Sequence, residues 1–229
     1  MKLAVVVPSA GKGRRLKSKV AKPLVKIAGV PLVVRTLRNL LSSSSPTEAV
    51  LAVEPSQVKK MRGLLDRHGL SGVRVVAGGK TRSASVQNGL LALSDRPDWV
   101  MVHDAARPFV TKKMVRGLMA LARRSGGAIV AVPATATVKR VGPNDPVILR
   151  TEDRRTLYLA QTPQVFKRKL LVDRYRALGA KALQATDEAA LFDGTNIKVR
   201  IFMGTGQNIK ITTPEDLKYA EYLLKGNRK

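Results

Sequence analysis

The sequence predicts an α/β protein built on a doubly wound, mostly parallel sheet. Three observations carry that prediction. Short runs at 3–7, 49–53, 73–77, 99–103 and 128–132 are rich in β-branched residues and nearly continuously apolar, as strands covered on both faces are. Stretches at 31–41, 56–68, 83–93 and 111–124 are amphipathic with helical spacing. The two kinds of segment alternate in strict order, which is the pattern of parallel strands joined by helical crossovers.

Each element has its own signals. Pro31 suits a first helical turn, where its missing N–H costs nothing. The serine run at 42–45 reads as a loop, and Ser56 and Thr111 read as helix caps. After Pro133 the rhythm breaks. Residues 137–155 are polar and charged around a Gly142-Pro143-Asn144-Asp145-Pro146 turn, with Val138, Val141, Val147, Ile148 and Leu149 flanking it. This segment predicts a protruding two-stranded arm. Such a ribbon is unstable in water unless it packs on something. A helix at 167–178, a short helix at 186–192, a strand at 198–202 and a helix at 214–224 complete the reading. The 229 residues are taken as one domain, 1–229, with 137–155 as a dimerisation β-arm.

Composition bounds the function. A chain of 229 residues that is 44% hydrophobic can bury a real core without staples. It has no cysteine, which excludes disulfides and thiolate metal sites. Its two histidines, His68 and His103, argue against a histidine-rich zinc site. Pro8 interrupts the only apolar run near the N-terminus, and no apolar stretch is long enough to span a bilayer. A cytoplasmic protein with no membrane partner is expected. The formal net charge is +26. It fits either a polyanion partner or a basic solvated surface. Aromatic residues are only 4% of the chain and the cations are dispersed, although residues 1–47 contain no acid. The solvated surface is the better reading, and a nucleic-acid partner is not expected.

The chemistry begins at the end of the first strand, in Pro8-Ser9-Ala10-Gly11-Lys12-Gly13-Arg14-Arg15. Glycines there let successive N–H groups point inward and hold phosphate. A lone Gly-x-Gly is equally a tight turn. Here Arg15 follows it, and Lys22-Pro23-Leu24 comes next. The third glycine of a dinucleotide fingerprint is missing, and so is a Walker motif. A glycine loop with fixed cations remains, which is what attack at an α-phosphate requires.

This arrangement resembles the nucleotidyltransferases that activate sugars and polyols. Further motifs narrow the resemblance: Gly78-Gly79-Lys80-Thr81-Arg82-Ser83-Ala84-Ser85, His103-Asp104-Ala105-Ala106-Arg107-Pro108, Ala160-Gln161-Thr162-Pro163-Gln164-Val165-Phe166, Thr186-Asp187-Glu188-Ala189 and Asn208-Ile209-Lys210-Ile211-Thr212-Thr213-Pro214. Together they resemble the 2-C-methyl-D-erythritol 4-phosphate cytidylyltransferases over essentially the whole chain, with the ribitol-phosphate cytidylyltransferases as close sisters. The resemblance implies a Rossmann-like nucleotidyltransferase fold, transfer of a cytidylyl group from CTP to a polyol phosphate with release of pyrophosphate, a Mg2+ ion on the triphosphate, and a homodimer.

It also implies roles. Arg15 and Lys22 match cations that stabilise charge at the α-phosphate, and Arg154 and Lys210 match groups that orient the methylerythritol phosphate. Ala10, Gly11, Gly13, Gly79, Ser85 and Asp104 match the nucleotide site. Asp104 meets either the ribose or the metal. Arg107, Thr137, Thr162 and Thr186 match the second-substrate site, and Arg107 has bracing of its loop as an alternative. Taken singly, each has a plainer reading: Arg15 and Lys22 as surface charge, His103 as a packing residue, Asp187 and Glu188 as a helix start, Thr162-Pro163 as a turn. Ala136, Gln207 and Lys80 stand where family members often carry acids, which makes this site more positive.

Overall fold

The structure is a computed structural model that describes residues 2–11, 16, 20–94, 96–144 and 146–226. Strand β1 (Leu3–Ser9) starts the sheet. A small hairpin follows, β2 (Lys26–Ile27) and β3 (Val30–Pro31). Its turn places both Ala28 and Gly29 at positive φ, 47° and 79°, the combination that a tight two-residue hairpin demands. Then come α1 (Leu32–Ser44), β4 (Glu48–Val53), α2 (Val58–Arg67), β5 (Arg74–Ala77), α3 (Arg82–Leu91), β6 (Trp99–Val102), α4 (Lys112–Ser125) and β7 (Gly127–Pro133). The arm consists of β8 (Lys139–Val141) and β9 (Ile148–Thr151). Strand β10 (Tyr158–Lys167), α5 (Arg168–Leu178), β11 (Arg200–Met203) and α6 (Pro214–Gly226) complete the order.

Seven strands form one sheet in the order β11-β7-β10-β6-β1-β4-β5. All neighbours are parallel except those of β10, which runs antiparallel to both β6 and β7. Alternation along β1 sorts the core. Leu3, Val5 and Val7 pack under α1, α2 and α4. Ala4 and Val6 pack on the opposite face with Val86 and Leu90 of α3 and Leu171 and Tyr175 of α5. A third cluster seats α6 on the β2–β3 hairpin through Ala220, Ile211, Ile27 and Leu32. Among the described residues, no helix is long and apolar enough to cross a membrane.

The doubly wound, mostly parallel sheet is present, and several local expectations are corrected. Residues 42–44 belong to α1, which ends only when Ser45 takes φ 43°. Ser56 caps nothing: it lies inside a 3-10 turn (Pro55–Gln57), and α2 starts after it with no side-chain cap. Thr111 does cap α4, its hydroxyl accepting from the Met114 N–H at 3.2 Å. The helix expected at 186–192 shrinks to a 3-10 turn, Ala189–Phe192. Strand β10 was not expected, because Gln161, Thr162, Pro163 and Gln164 break its apolar pattern. Its register shifts between Ala160 and Gln164, so the strand crosses those residues with a bulge.

The topology locates the site. From β1 the chain moves to β4 and β5 on one side, while β6 pairs with β1 on the other. The crevice beyond the C-terminal ends of β1 and β6 is therefore a topological switch point, where open α/β sheets bind ligands.

Candidate active site

The crevice holds a cavity of about 320 Å³, bounded by three loops and the segment before α6. The end of β1 and the loop after it contribute Ser9, Ala10 and Gly11, the β5–α3 loop and the first residue of α3 contribute Gly79 to Arg82, and the loop after β6 contributes Asp104 to Ala106. Lys22, Lys210 and Thr212 close it.

Each wall has a local cause. Gly78 and Gly79 are there because nothing larger fits. A Cβ on Gly78 would come within 2.7 Å of the Ala10 Cβ, and one on Gly79 within 2.4 Å of the Ala84 Cβ. The loop then turns into α3, where the Thr81 hydroxyl accepts from the Ala84 N–H at 3.0 Å. The Ser85 hydroxyl ties the loop from within: it accepts from the Gly79 N–H at 3.1 Å and donates to the Thr81 carbonyl at 2.9 Å. Gly79→Ala is expected to raise the KM for the nucleotide that the resemblance implies roughly ten- to a hundredfold, because the loop must move by about 1 Å to admit the methyl group. Steady-state titration with that nucleotide checks this, and a KM within about twofold of the parent would show that the loop yields freely.

The Asp104 wall hangs from β6 and β10. The His103 ring is wholly buried, with Nε2 2.9 Å from the Arg107 carbonyl and Nδ1 3.1 Å from the Thr162 hydroxyl. A carbonyl only accepts, so the ring proton sits on Nε2 and the Thr162 hydroxyl donates to Nδ1. The Thr162 oxygen in turn accepts from the Asp104 N–H at 2.9 Å. Burial pushes the imidazole down to about 4, with its contact to the Arg107 carbonyl opposing, so His103 is neutral and serves the packing of this loop.

Lys210 is brought in by a second set of bonds. Asn208 Nδ2 donates to Gln161 Oε1 and to the Thr162 carbonyl, both at 2.9 Å. Arg107 Nη1 donates to the Asn208 carbonyl at 2.7 Å, and the Ile211 N–H donates to the Ala106 carbonyl at 2.9 Å. Lys210 Nζ then lies 2.7 Å from Asp104 Oδ2. Arg82 Nε donates to Asp104 Oδ1 at 3.0 Å, and Arg107 Nε stands 3.8 Å from Oδ2. Burial alone would raise the Asp104 carboxyl. Arg82, Lys210 and Arg107 overcome that and hold it far below the usual carboxylate range.

The sequence-predicted residues divide accordingly. Ala10, Gly11, Lys22, Gly79, Ser85, Asp104 and Lys210 line one cavity. Thr162 and Arg107 stand directly behind the Asp104 loop with their polar groups engaged there. Thr186 is exposed and does not line the cavity. Thr137 and Arg154 lie on the exposed feet of the arm, where Arg154 Nη1 donates to the Thr135 carbonyl. Gly13 and Arg15 fall outside the described residues. Sequence reasoning assigned no role to Arg82, although it lines the cavity and its guanidinium touches Asp104.

Among the described residues, no cluster of three or more His, Cys, Asp or Glu side chains could cage a metal ion. Asp104 is the only carboxylate among the described residues lining the cavity, and cations already share it. The donor set does not fit a resident, protein-held divalent ion.

Comparison with known proteins agrees over the full chain. The family model for 2-C-methyl-D-erythritol 4-phosphate cytidylyltransferase matches residues 3–226. A relative of that name from Syntrophus aciditrophicus is 40% identical over 226 residues, covering 98% of this chain and 96% of the relative. One from Bacillus licheniformis is 34% identical and covers 100% and 98%. Among solved structures, the 4-diphosphocytidyl-2C-methyl-D-erythritol synthase of Anaerococcus prevotii superposes with a TM-score of 0.84 at 27% identity, covering 98% of both chains. The cytidylyltransferase of Thermus thermophilus gives 0.77 at 31% identity, covering 98% of this chain and 100% of that one.

Proposed function

The chain belongs to the 2-C-methyl-D-erythritol 4-phosphate cytidylyltransferase family, and from that membership we propose how its cavity transfers a cytidylyl group from CTP to 2-C-methyl-D-erythritol 4-phosphate. The reaction serves isoprenoid precursor synthesis and releases pyrophosphate. The observation that carries the site assignment is the cavity itself: Lys22, Lys80, Arg82 and Lys210 line it at the switch point of the sheet, and Asp104 is the one carboxylate among the described lining residues.

An oxygen of the substrate phosphate attacks the α-phosphorus of CTP, and the bond from that phosphorus to the bridging β-oxygen breaks. Both reactants are polyanions, so the protein's work is to hold them in line and to screen their repulsion. The glycine loop at Ala10 and Gly11 and the Gly79–Ser85 turn take the nucleotide. Lys22 faces the charge that builds at the α-phosphate, and Arg15 is assigned the same duty on sequence grounds. Lys210, shared with Asp104, orients the incoming phosphate. Magnesium would arrive with CTP rather than reside on the protein, because the walls offer Asp104 as the single carboxylate among the described lining residues. It would supply charge neutralisation. We assign the enzyme to the cytoplasm, in keeping with its use of CTP.

The assembly we assign is a homodimer. Val141, Val147, Ile148 and Leu149 of the arm, Tyr158 and Leu159 at the start of β10, and Ile201 and Met203 on the edge strand β11 are large apolar side chains left exposed. An isolated ribbon of this kind calls for a partner surface, and a two-fold pairing buries the same patch on both subunits.

The assay offers CTP, UTP, ATP or GTP with methylerythritol phosphate or ribitol 5-phosphate, and follows pyrophosphate. CTP with methylerythritol phosphate is expected to exceed every other pair by at least about a hundredfold, since buried polar groups matched to one base are left unpaired by another. Chelation of magnesium is expected to abolish turnover, and gel-filtered enzyme is expected to carry no magnesium of its own. Equal use of ATP would overturn the assignment.

A further inference from the structure

One charged group in the cavity wall has a partner that lies wholly behind the wall. Glu188 has no exposed surface and does not line the cavity, yet it takes both terminal nitrogens of Arg82: Nη1 lies 2.9 Å from Oε1 and Nη2 3.1 Å from Oε2. This leaves Nε of Arg82 for Asp104 Oδ1, at 3.0 Å, while Lys210 holds Oδ2 at 2.7 Å. We propose that Glu188 is a positioning residue for cytidylyl transfer: by engaging the fork of Arg82 it restricts that guanidinium to one hydrogen bond with Asp104, and so keeps Asp104 shared with Lys210 and presented to the cavity.

The scaffold around Glu188 is built to hold it still. Gln164 Oε1 accepts from the Glu188 and Ala189 N–H groups at 3.1 and 3.3 Å, and Gln164 Nε2 donates to Asp187 Oδ2 at 2.9 Å. Gln164 itself pairs with Val102 across β10 and β6, two residues before Asp104. Both ends of the Glu188–Arg82–Asp104 relay therefore hang from neighbouring positions of one sheet. A buried ion pair is a poor stabiliser, because desolvation cancels much of its attraction. Stability alone is thus a weak reason for a fully buried carboxylate here. Without its charge, the planar fork of Arg82 is free to turn and grip Asp104 through two N–H groups, the arrangement that arginine prefers with a carboxylate. That grip draws Asp104 away from Lys210, and a displacement of about 1 Å at reacting groups costs on the order of a hundredfold in rate.

The inference rests on the proposed reaction, so the parent enzyme is first assayed with CTP and methylerythritol phosphate. Glu188→Gln, Arg82→Gln and the double variant are then compared in kcat, in both KM values and in thermal midpoint. Glu188→Gln is expected to lose about thirty- to a hundredfold in kcat with both KM values within about threefold. The double variant is expected to be no worse than Arg82→Gln alone, since Glu188 acts only through Arg82. Losses that multiply, or a lower thermal midpoint with kcat of the folded enzyme unchanged, would overturn the inference. If Glu188→Gln does not fold, Glu188→Asp keeps the charge, loses the reach to both nitrogens and enters the same cycle. An inactive parent would instead overturn the reaction, and the inference with it.

Discussion

Replacing Lys22 by alanine is expected to slow turnover by about a hundred- to a thousandfold while leaving the KM for CTP within about threefold. Lys22 opens a 3-10 turn (Lys22–Leu24), with Pro23 next to it and the Val25 N–H bonded to the Lys22 carbonyl at 3.2 Å. The Val25 carbonyl accepts from the Leu32 N–H at 2.8 Å, and both of those side chains are buried. The backbone of Lys22 is thereby fixed to the start of α1, and its side chain reaches the cavity from a rigid base. A cation held in place before the reaction costs no reorganisation when charge develops on the α-phosphate, so it lowers the barrier more than it tightens ground-state binding. Its effect belongs in kcat. Arginine at this position should restore part of the rate, because the charge returns in a different geometry. Steady-state kinetics with CTP and methylerythritol phosphate decide the matter, and a kcat within about threefold of the parent would make Lys22 an ordinary surface lysine.

What could be read from the sequence follows from where its signals are local. The apolar runs of β1, β4, β6 and β7 announced their strands because both faces of each are covered, and strand β1 has Ala4 to Val7 fully buried, whereas β5 at the sheet edge buries Val75 and leaves Arg74 and Ala77 exposed. Strand β10 gave no such signal. Its buried residues include Gln161, Thr162 and Gln164, whose polar groups are satisfied by Asn208, Asp104, His103 and Glu188 rather than by water. A strand wired into a site looks polar in sequence and buries all the same. Arg82 and Glu188 escaped notice for a related reason. They are 106 positions apart, so no periodicity or spacing joins them, and Glu188 read alone suggests only a helix start. Motif resemblance supplied Lys22, Asp104 and Lys210, and the sheet's switch point explains in physical terms why those distant residues meet.

The net charge of +26 gains a location from the fold. Helix α4 carries Lys112, Lys113, Arg116, Arg123 and Arg124 with no acid, and it lies with α1 and α2 on the same face of the sheet. Among the described residues no ion pair involves these five side chains. The site uses its cations differently: Arg82 and Lys210 are matched to Glu188 and Asp104 at 2.7–3.0 Å. Charge on the helical layer is exposed to solvent, while the paired charge in the cavity fixes geometry.

The remaining large effect concerns which subunit completes which site. In a single chain, Thr137 and Arg154 stand on the exposed feet of the arm, outside the cavity that Lys22 lines. The resemblance implies that in the proposed homodimer each arm reaches the neighbouring subunit; Arg154 would then serve the partner's cavity while Lys22 serves its own. Lys22→Ala and Arg154→Ala are each expected to be nearly inactive alone. When their subunits are allowed to exchange at random, about half the dimers are mixed by the symmetry of a two-fold pair. In each mixed dimer one site joins an intact cavity to an intact arm, and the other carries both lesions. Roughly a quarter of the parental activity should therefore return. Self-contained sites predict no return at all, because every cavity would still lack one of its own two residues. The measurement needs exchange to be shown independently, for instance by native mass spectrometry of differently tagged chains. Exchange without any recovery of pyrophosphate release would refute the shared site and leave the arm as a clamp between two complete enzymes.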